Sequence, residues 1–98
     1  MKYRIEFLPE AQADAEEIRQ YLLQFYENTP RKFFALLKTK INNLKSNPYL
    51  YSRHKERKSY RKFTVKDYLV FYKVNDEQQI IEIHRIIHGS RDISRYIL

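Results

Sequence analysis

A chain of 98 residues has the length of a single domain, 1–98, with no room for a second core. It has no cysteine, which excludes disulfide frameworks, thiolate nucleophiles and Cys-based metal sites, and its one glycine excludes a Gly-rich phosphate loop. The net charge of +7 is concentrated, with residues 1–30 summing to −3, residues 31–62 to +10 and residues 63–98 to zero. That block favours a polyanionic or strongly acidic partner, with a basic face kept for solubility as the plainer account.

Tyr3, Ile5 and Phe7 alternate with Lys2, Arg4 and Glu6, the period of a half-buried strand. Leu8-Pro9-Glu10 opens a helix, with Pro9 in its first turn and Glu10, Asp14, Glu16 and Glu17 toward the positive end of its dipole. Ala11, Ala15, Ile18, Leu22 and Phe25 form its apolar stripe, and Asn28 reads as a left-handed stop. Thr29-Pro30 starts a second helix as N-cap and N1, with the stripe Phe33, Leu37, Ile41 and Leu44 ending near Asn47-Pro48. So short a linker predicts an antiparallel helix hairpin.

Residues 49–59 show no period and read as an exposed loop. Tyr60 to Lys66 reads as a strand with Phe63 and Val65 on one face, Lys66-Asp67 as a tight turn, and Tyr68 to Val74 as a central strand. Asn75-Asp76-Glu77-Gln78 reads as a hairpin loop, and Ile80 to His88 as a third strand broken by Gly89-Ser90. A short tail follows, with one helical turn capped by Ser90 or Asp92. The order β-α-α-β-β-β predicts an α+β fold: an antiparallel sheet with an N-terminal helix hairpin packed on one face and a short C-terminal tail. Ile18, Leu22, Leu37, Ile41, Val70, Tyr72 and Ile83 are the expected core. No apolar run is long enough to span a membrane and Met1 to Glu6 has no leader-like apolar region, so a cytoplasmic protein without membrane contact is expected.

Three constellations could carry chemistry. His84 and His88 share parity on the last strand, with His54 in the basic loop; partly buried, hydrogen-bonded histidines fit them better than a zinc site, which needs three or four converging ligands. No metal and no cofactor are expected. The stretch Tyr49 to Lys62 interleaves tyrosines with Arg53, Lys55, Arg57, Lys58, Arg61 and Lys62, suited to phosphates and unpaired bases; a solvated loop with tucked tyrosines is the alternative. Arg31, Lys38 and Lys45, seven apart, extend it along the second helix. The third is the run from Ile83 to Asp92. RNA cleavage by 2′-OH attack needs a base, an acid and cations for the dianionic transition state. His84 or His88, Arg61, Arg85 and Arg91 could supply them, while Arg91-Asp92 could equally be a capping salt bridge.

The whole chain resembles the RelE/ParE superfamily of toxins from bacterial type II toxin–antitoxin systems. The resemblance rests on the ordered set Tyr3 to Ala11 with Asp14, Ile18-Arg19-Gln20-Tyr21-Leu22, Asn47-Pro48, Tyr60-Arg61-Lys62, Asp67 to Val74 and Ile83 to Asp92. It implies the α+β fold, a cognate acidic antitoxin peptide, and growth arrest when the toxin is free. RelE-like members cut mRNA on the ribosome, whereas ParE-like members act on DNA gyrase without the dispersed catalytic set. Within the nuclease pattern Arg91 matches the last-strand arginine and Tyr96 is the nearby tail tyrosine, so Arg61, His84, His88, Arg91 and Tyr96 are the catalytic candidates. Lys38, Lys45, Arg53, Lys55, Arg57, Lys58, Lys62 and Arg85 are the candidates for holding nucleic acid or the target. RelE-like toxins carry Tyr-Arg-Leu-Val-Tyr on the central strand, where this chain has Tyr68-Leu69-Val70-Phe71-Tyr72. That departure places gyrase inhibition first, metal-independent mRNA cleavage second, and a non-toxic nucleic-acid-binding module third. None of these needs a small-molecule substrate.

Overall fold

The computed structural model describes residues 2–25 and 29–97. Strand β1 (Arg4–Phe7) leads into helices α1 (Pro9–Leu23) and α2 (Thr29–Ser46), then β2 (Arg61–Val65), β3 (Tyr68–Asn75), β4 (Ile80–His88) and a 3-10 turn at Ile93–Arg95. The mixed α+β order is the one expected. Strand order in the sheet is β1-β4-β3-β2. β2, β3 and β4 are antiparallel neighbours, but β1 runs parallel to β4, with Arg4 opposite Ile80 and Phe7 opposite Ile83. The expected antiparallel sheet therefore holds for three strands and is corrected for the fourth. An even number of helices returns the chain to the end where β1 begins, marked by the Tyr3 amide donating to the Lys45 carbonyl at 2.9 Å. Three alternating strands from that end leave β4 running with β1.

Pro9 stands at the start of α1, where its missing N–H is no loss. Ala11 and Ile18 are buried and Ala15 and Leu22 pack against the core, but Phe25 is 55% exposed. The stripe fails there because α1 stops at Leu23; Phe25 instead meets Tyr21 edge-on, with ring centroids 5.2 Å apart. Asn28, expected to stop this helix, lies outside the described residues. On α2 the stripe Phe33, Leu37, Ile41 and Leu44 is buried throughout. These residues close over Phe63, Val65, Val70, Tyr72, Ile81, Ile83 and Ile86 from the sheet. Tyr72 is fully buried, and its hydroxyl donates to the Pro48 carbonyl at 3.0 Å, as a buried polar group requires. Leu22 packs against this core while remaining partly exposed.

The opposite sheet face carries a second apolar cluster of Tyr60, Phe71, Ile87 and Ile97, joined by Leu69, Ile93 and Tyr96. Two features of this face depart from expectation. Residues 49–59 do not form a simply exposed loop. Arg53 bridges to Arg61, the His54 amide donates to the Tyr60 carbonyl at 2.8 Å, and His54 is 7% exposed with Phe71 beneath it. Tyr51 stacks on Phe63 on the helix side. The second feature is a bulge in β4: Phe71 opposes Arg85 while Tyr72 opposes Ile83, so His84 is the extra residue.

The predicted hairpin loop is shifted by one residue. Asn75 closes β3, its side chain accepts the Gln78 amide at 3.1 Å, and Gln79 takes the left-handed conformation. Among the described residues no helix is long and apolar enough to cross a membrane.

Candidate functional site

The bulge decides what the last strand can present. Inserting one residue reverses the facing of everything after it. Ile81 and Ile83 face the helices, and so does Ile86, while Ile87 joins the opposite cluster. The two strand histidines, which share parity in sequence, are separated by this reversal. His88 packs edge-on against Tyr68 on the helix side, whereas His84 packs against Tyr60 on the other. Their expected shared face is thus corrected. Burial first, then Lys73, pushes His84 below the ordinary histidine range, although Glu82, 3.5 Å away, pulls the other way. Burial followed by Lys62 does the same to His54, whose Nδ1 has no hydrogen-bond partner and whose Nε2 lies 2.9 Å from Glu56. Among the described residues no three His, Asp or Glu side chains group as a metal site.

Two clefts collect the candidates. The first, about 300 Å³, opens between α1, the end of β4 and the tail. The spacing of α1 turns Asp14 inward between Ala11 and Ile18. β1 ends at Phe7, so the Ile86 amide has no strand partner on that side, and Asp14 accepts it at 2.9 Å. The same carboxylate takes two bonds from the Arg85 guanidinium, at 2.7 and 2.9 Å, a bidentate pair with side chains 12% and 22% exposed. Arg85 and Arg91 both lie near the Tyr96 ring, at 5.1 and 5.9 Å, and Arg91 donates to the Tyr96 hydroxyl at 3.1 Å. His88 Nδ1 accepts the Ser90 amide at 3.1 Å and lies 2.7 Å from the Ser90 hydroxyl. Tyr68 lines the cleft too, and burial raises its hydroxyl above the ordinary tyrosine value.

The second cleft, about 340 Å³, lies toward the other end of the sheet and shares no lining residue with the first. It holds Arg53, Lys58 and Arg61 around Tyr49 and Asp76. Arg61 donates to the Tyr51 carbonyl at 2.8 Å and its guanidinium carbon stands 4.8 Å from the Tyr49 ring centroid. Asp76 accepts the Tyr3 hydroxyl at 2.5 Å through one oxygen and the Tyr49 hydroxyl through the other. These bonds hold Asp76 below the usual carboxylate value and push Tyr3 up to about 12.

Of the five nuclease candidates, His88, Arg91 and Tyr96 share the first cleft with Arg85. Arg61 sits in the second cleft and His84 lies under Tyr60. Lys38, Lys55 and Arg57 are exposed, while Lys45 and Lys62 are half-buried. Asp14, Glu17, Tyr21 and Tyr68 in the first cleft, and Tyr3 and Asp76 at the second, are not among the site candidates that the sequence offers, whereas Tyr49 belongs to its tyrosine-interleaved basic stretch. Asp14 had a signal: it is the acid at helical spacing between two buried apolar positions.

The fold is similar to that of the RelBE2 toxin–antitoxin complex from Mycobacterium tuberculosis, with TM-score 0.66 and 19% identity over 90% of this chain and 99% of that one. A mutant of the E. coli toxin RelE in the free state gives TM-score 0.67 and 14% identity over 99% and 100%. The chromosomal ParDE system from P. aeruginosa gives TM-score 0.62 and 17% identity over 89% and 96%. At these identities the likeness is one of fold. No curated protein matches the chain. The family model for the ParE toxin of type II toxin–antitoxin systems, parDE, matches residues 5–93. That span runs from the second residue of β1 to the first of the 3-10 turn and takes in both helices and all of β2, β3 and β4. The chain therefore belongs to the ParE toxin family of type II toxin–antitoxin systems, within the RelE/ParE superfamily.

Proposed function

We propose that this toxin arrests growth by binding a protein target, DNA gyrase, in the cytoplasm, and that it does not cut RNA. The observation that carries this reading is Leu69. It stands where the RelE-like pattern has an arginine, and it packs with Tyr60, Phe71, Ile87 and Ile97 in an apolar layer under the tail. A transition-state cation cannot be supplied from that position. The separation of Arg61 and His84 from Arg91 and His88 supports the same conclusion, because acid–base catalysis needs its groups within hydrogen-bond reach of one substrate. The partner that silences the toxin is an acidic antitoxin segment, matched to the +10 block; toxin–antitoxin complexes are known for structurally similar toxins. Its association slows with rising salt, as charge steering does.

A second reading has one observation in its favour: His88, Arg91, Tyr96 and Arg85 share a cleft, a set able to bind a phosphate beside a proton donor. Induction in bacteria separates the two. Intact messages with an induced DNA-damage response are expected. Ribosome-dependent cuts that disappear in Arg91→Ala would replace gyrase with mRNA as the target. Harmless over-expression would leave only a binding module.

A further inference from the structure

The second cleft gathers Arg53, Lys58 and Arg61, cations that the sequence offers for nucleic acid or the target, away from the first cleft, and it has the composition of a ligand site. Among the described residues no ion pair includes Arg53, Lys58 or Arg61. Three cations thus surround one small cleft, and the carboxylate that lines it, Asp76, is occupied by two tyrosine hydroxyls. Arg61 is already positioned, fixed by the Tyr51 carbonyl and by the Tyr49 ring. A guanidinium has five N–H donors, so one bond to a carbonyl leaves most of them for an anion. Tyr49 remains 47% exposed despite this contact, a rigid ring at the mouth of a cationic cleft.

We propose that this cleft binds a nucleoside phosphate, with the phosphate on Arg53, Lys58 and Arg61 and the base against Tyr49. The size fits: about 340 Å³ lies at the small end of ligand pockets, which run from roughly 300 to 1,000 Å³. A phosphate concentrates its charge on one centre that three cations can reach together. Each Asp76 oxygen has a second lone pair beyond the one taken by tyrosine, an acceptor for the N–H edge of a base. The nucleoside phosphate can be free in solution or the phosphorylated end of a single strand; the contacts are the same.

The test is calorimetric titration of the full-length chain at low salt with guanosine and adenosine monophosphate, inorganic phosphate and a short end-phosphorylated single strand. A nucleoside monophosphate is expected to bind at least about tenfold tighter than inorganic phosphate, as stacking of its base would add. Lys58→Ala and Arg53→Ala, both at exposed positions, should each weaken binding about tenfold. Lys32→Ala removes the same charge from exposed α2 and should leave binding within about twofold. Amide shifts should cluster at Tyr49, Arg53, Lys58 and Asp76 and spare Arg85 and Arg91. A strand that binds tighter than the monophosphate, with the same variant sensitivities, assigns the site to nucleic-acid ends; otherwise the free nucleotide is the ligand. Equal binding of inorganic phosphate, equal loss in Lys32→Ala, or no binding of monophosphate or strand at millimolar concentration overturns the proposal. The growth-arrest assay does not depend on these outcomes.

Discussion

The two clefts use arginine in opposite ways. At the α1 and tail end, Arg85 is committed to a half-buried, bidentate pair with Asp14, and Arg91 lies between Tyr96 and Glu17. At the hairpin end, Arg61 is held by a carbonyl and a ring, and no carboxylate pairs with it or with Arg53 and Lys58 among the described residues. Charge in the first cleft closes the fold, while charge in the second is left for something else. A basic block read from sequence cannot make this distinction, because it depends on which cations find acids after folding.

Breaking the first cleft should have the largest effect. Asp14→Ala strands the Arg85 guanidinium and the Ile86 amide together, and should cost about 3–5 kcal/mol in urea unfolding. A loss no larger than that of an exposed helix substitution would show that Arg85 finds water instead. Core truncation should lower stability without discriminating between the clefts: Leu37→Ala or Ile41→Ala should cost about 2–5 kcal/mol, read by the same unfolding curves. Neither change measurable would mean that the hairpin does not pack as described.

The pH profile sharpens the comparison, because the second cleft is tuned by hydroxyls. Asp76 lies below its ordinary value of 3.8, through Tyr3 first and then Tyr49. Its contribution is therefore present above that value and lost as pH falls through the depressed one. Tyr3, raised to about 12 from 10.0, contributes fully below 10.0 and loses its contribution as pH rises toward 12. Tyr3→Phe should flatten both limbs of the stability profile; an unchanged alkaline limb would remove Tyr3 from the network. His84 and His54, depressed chiefly by burial, favour the fold above 6.5 and weaken it as pH falls below that. Ring-proton titration by NMR should place His84 below 6.5. The smallest effect is reserved for the 3.9 Å pair of Arg91 and Glu17, both exposed. Glu17→Ala should change stability by less than about 1 kcal/mol, and a larger loss would mean that the carboxylate is part of the Asp14 network.

Periodicity in the sequence was sufficient for both helices and for β1 and β2, because a stripe at steps of three and four or an alternation of two reports which side faces a core, while β3 and β4 were legible as apolar and β-branched runs. It located Leu37, Ile41, Val70 and Tyr72 correctly within that core. The resemblance to RelE/ParE toxins was also legible, as was the replacement at Leu69. Periodicity failed where a single residue changed the count. The bulge at His84 put His84 and His88 on opposite faces, and the end of α1 at Leu23 left Phe25 outside.

Composition and order along the chain thus determined the elements, the core and the excess of cations in residues 31–62. Tertiary structure alone decided that β1 runs parallel to β4, that His54 is buried in a segment read as exposed loop, and that Arg61 and Arg91 line separate clefts. The physical reason is range. Apolar spacing is a property of neighbours a few residues apart, whereas Asp14 meets Arg85 and Tyr3 meets Asp76 across more than seventy residues, and such meetings are fixed only when the sheet closes.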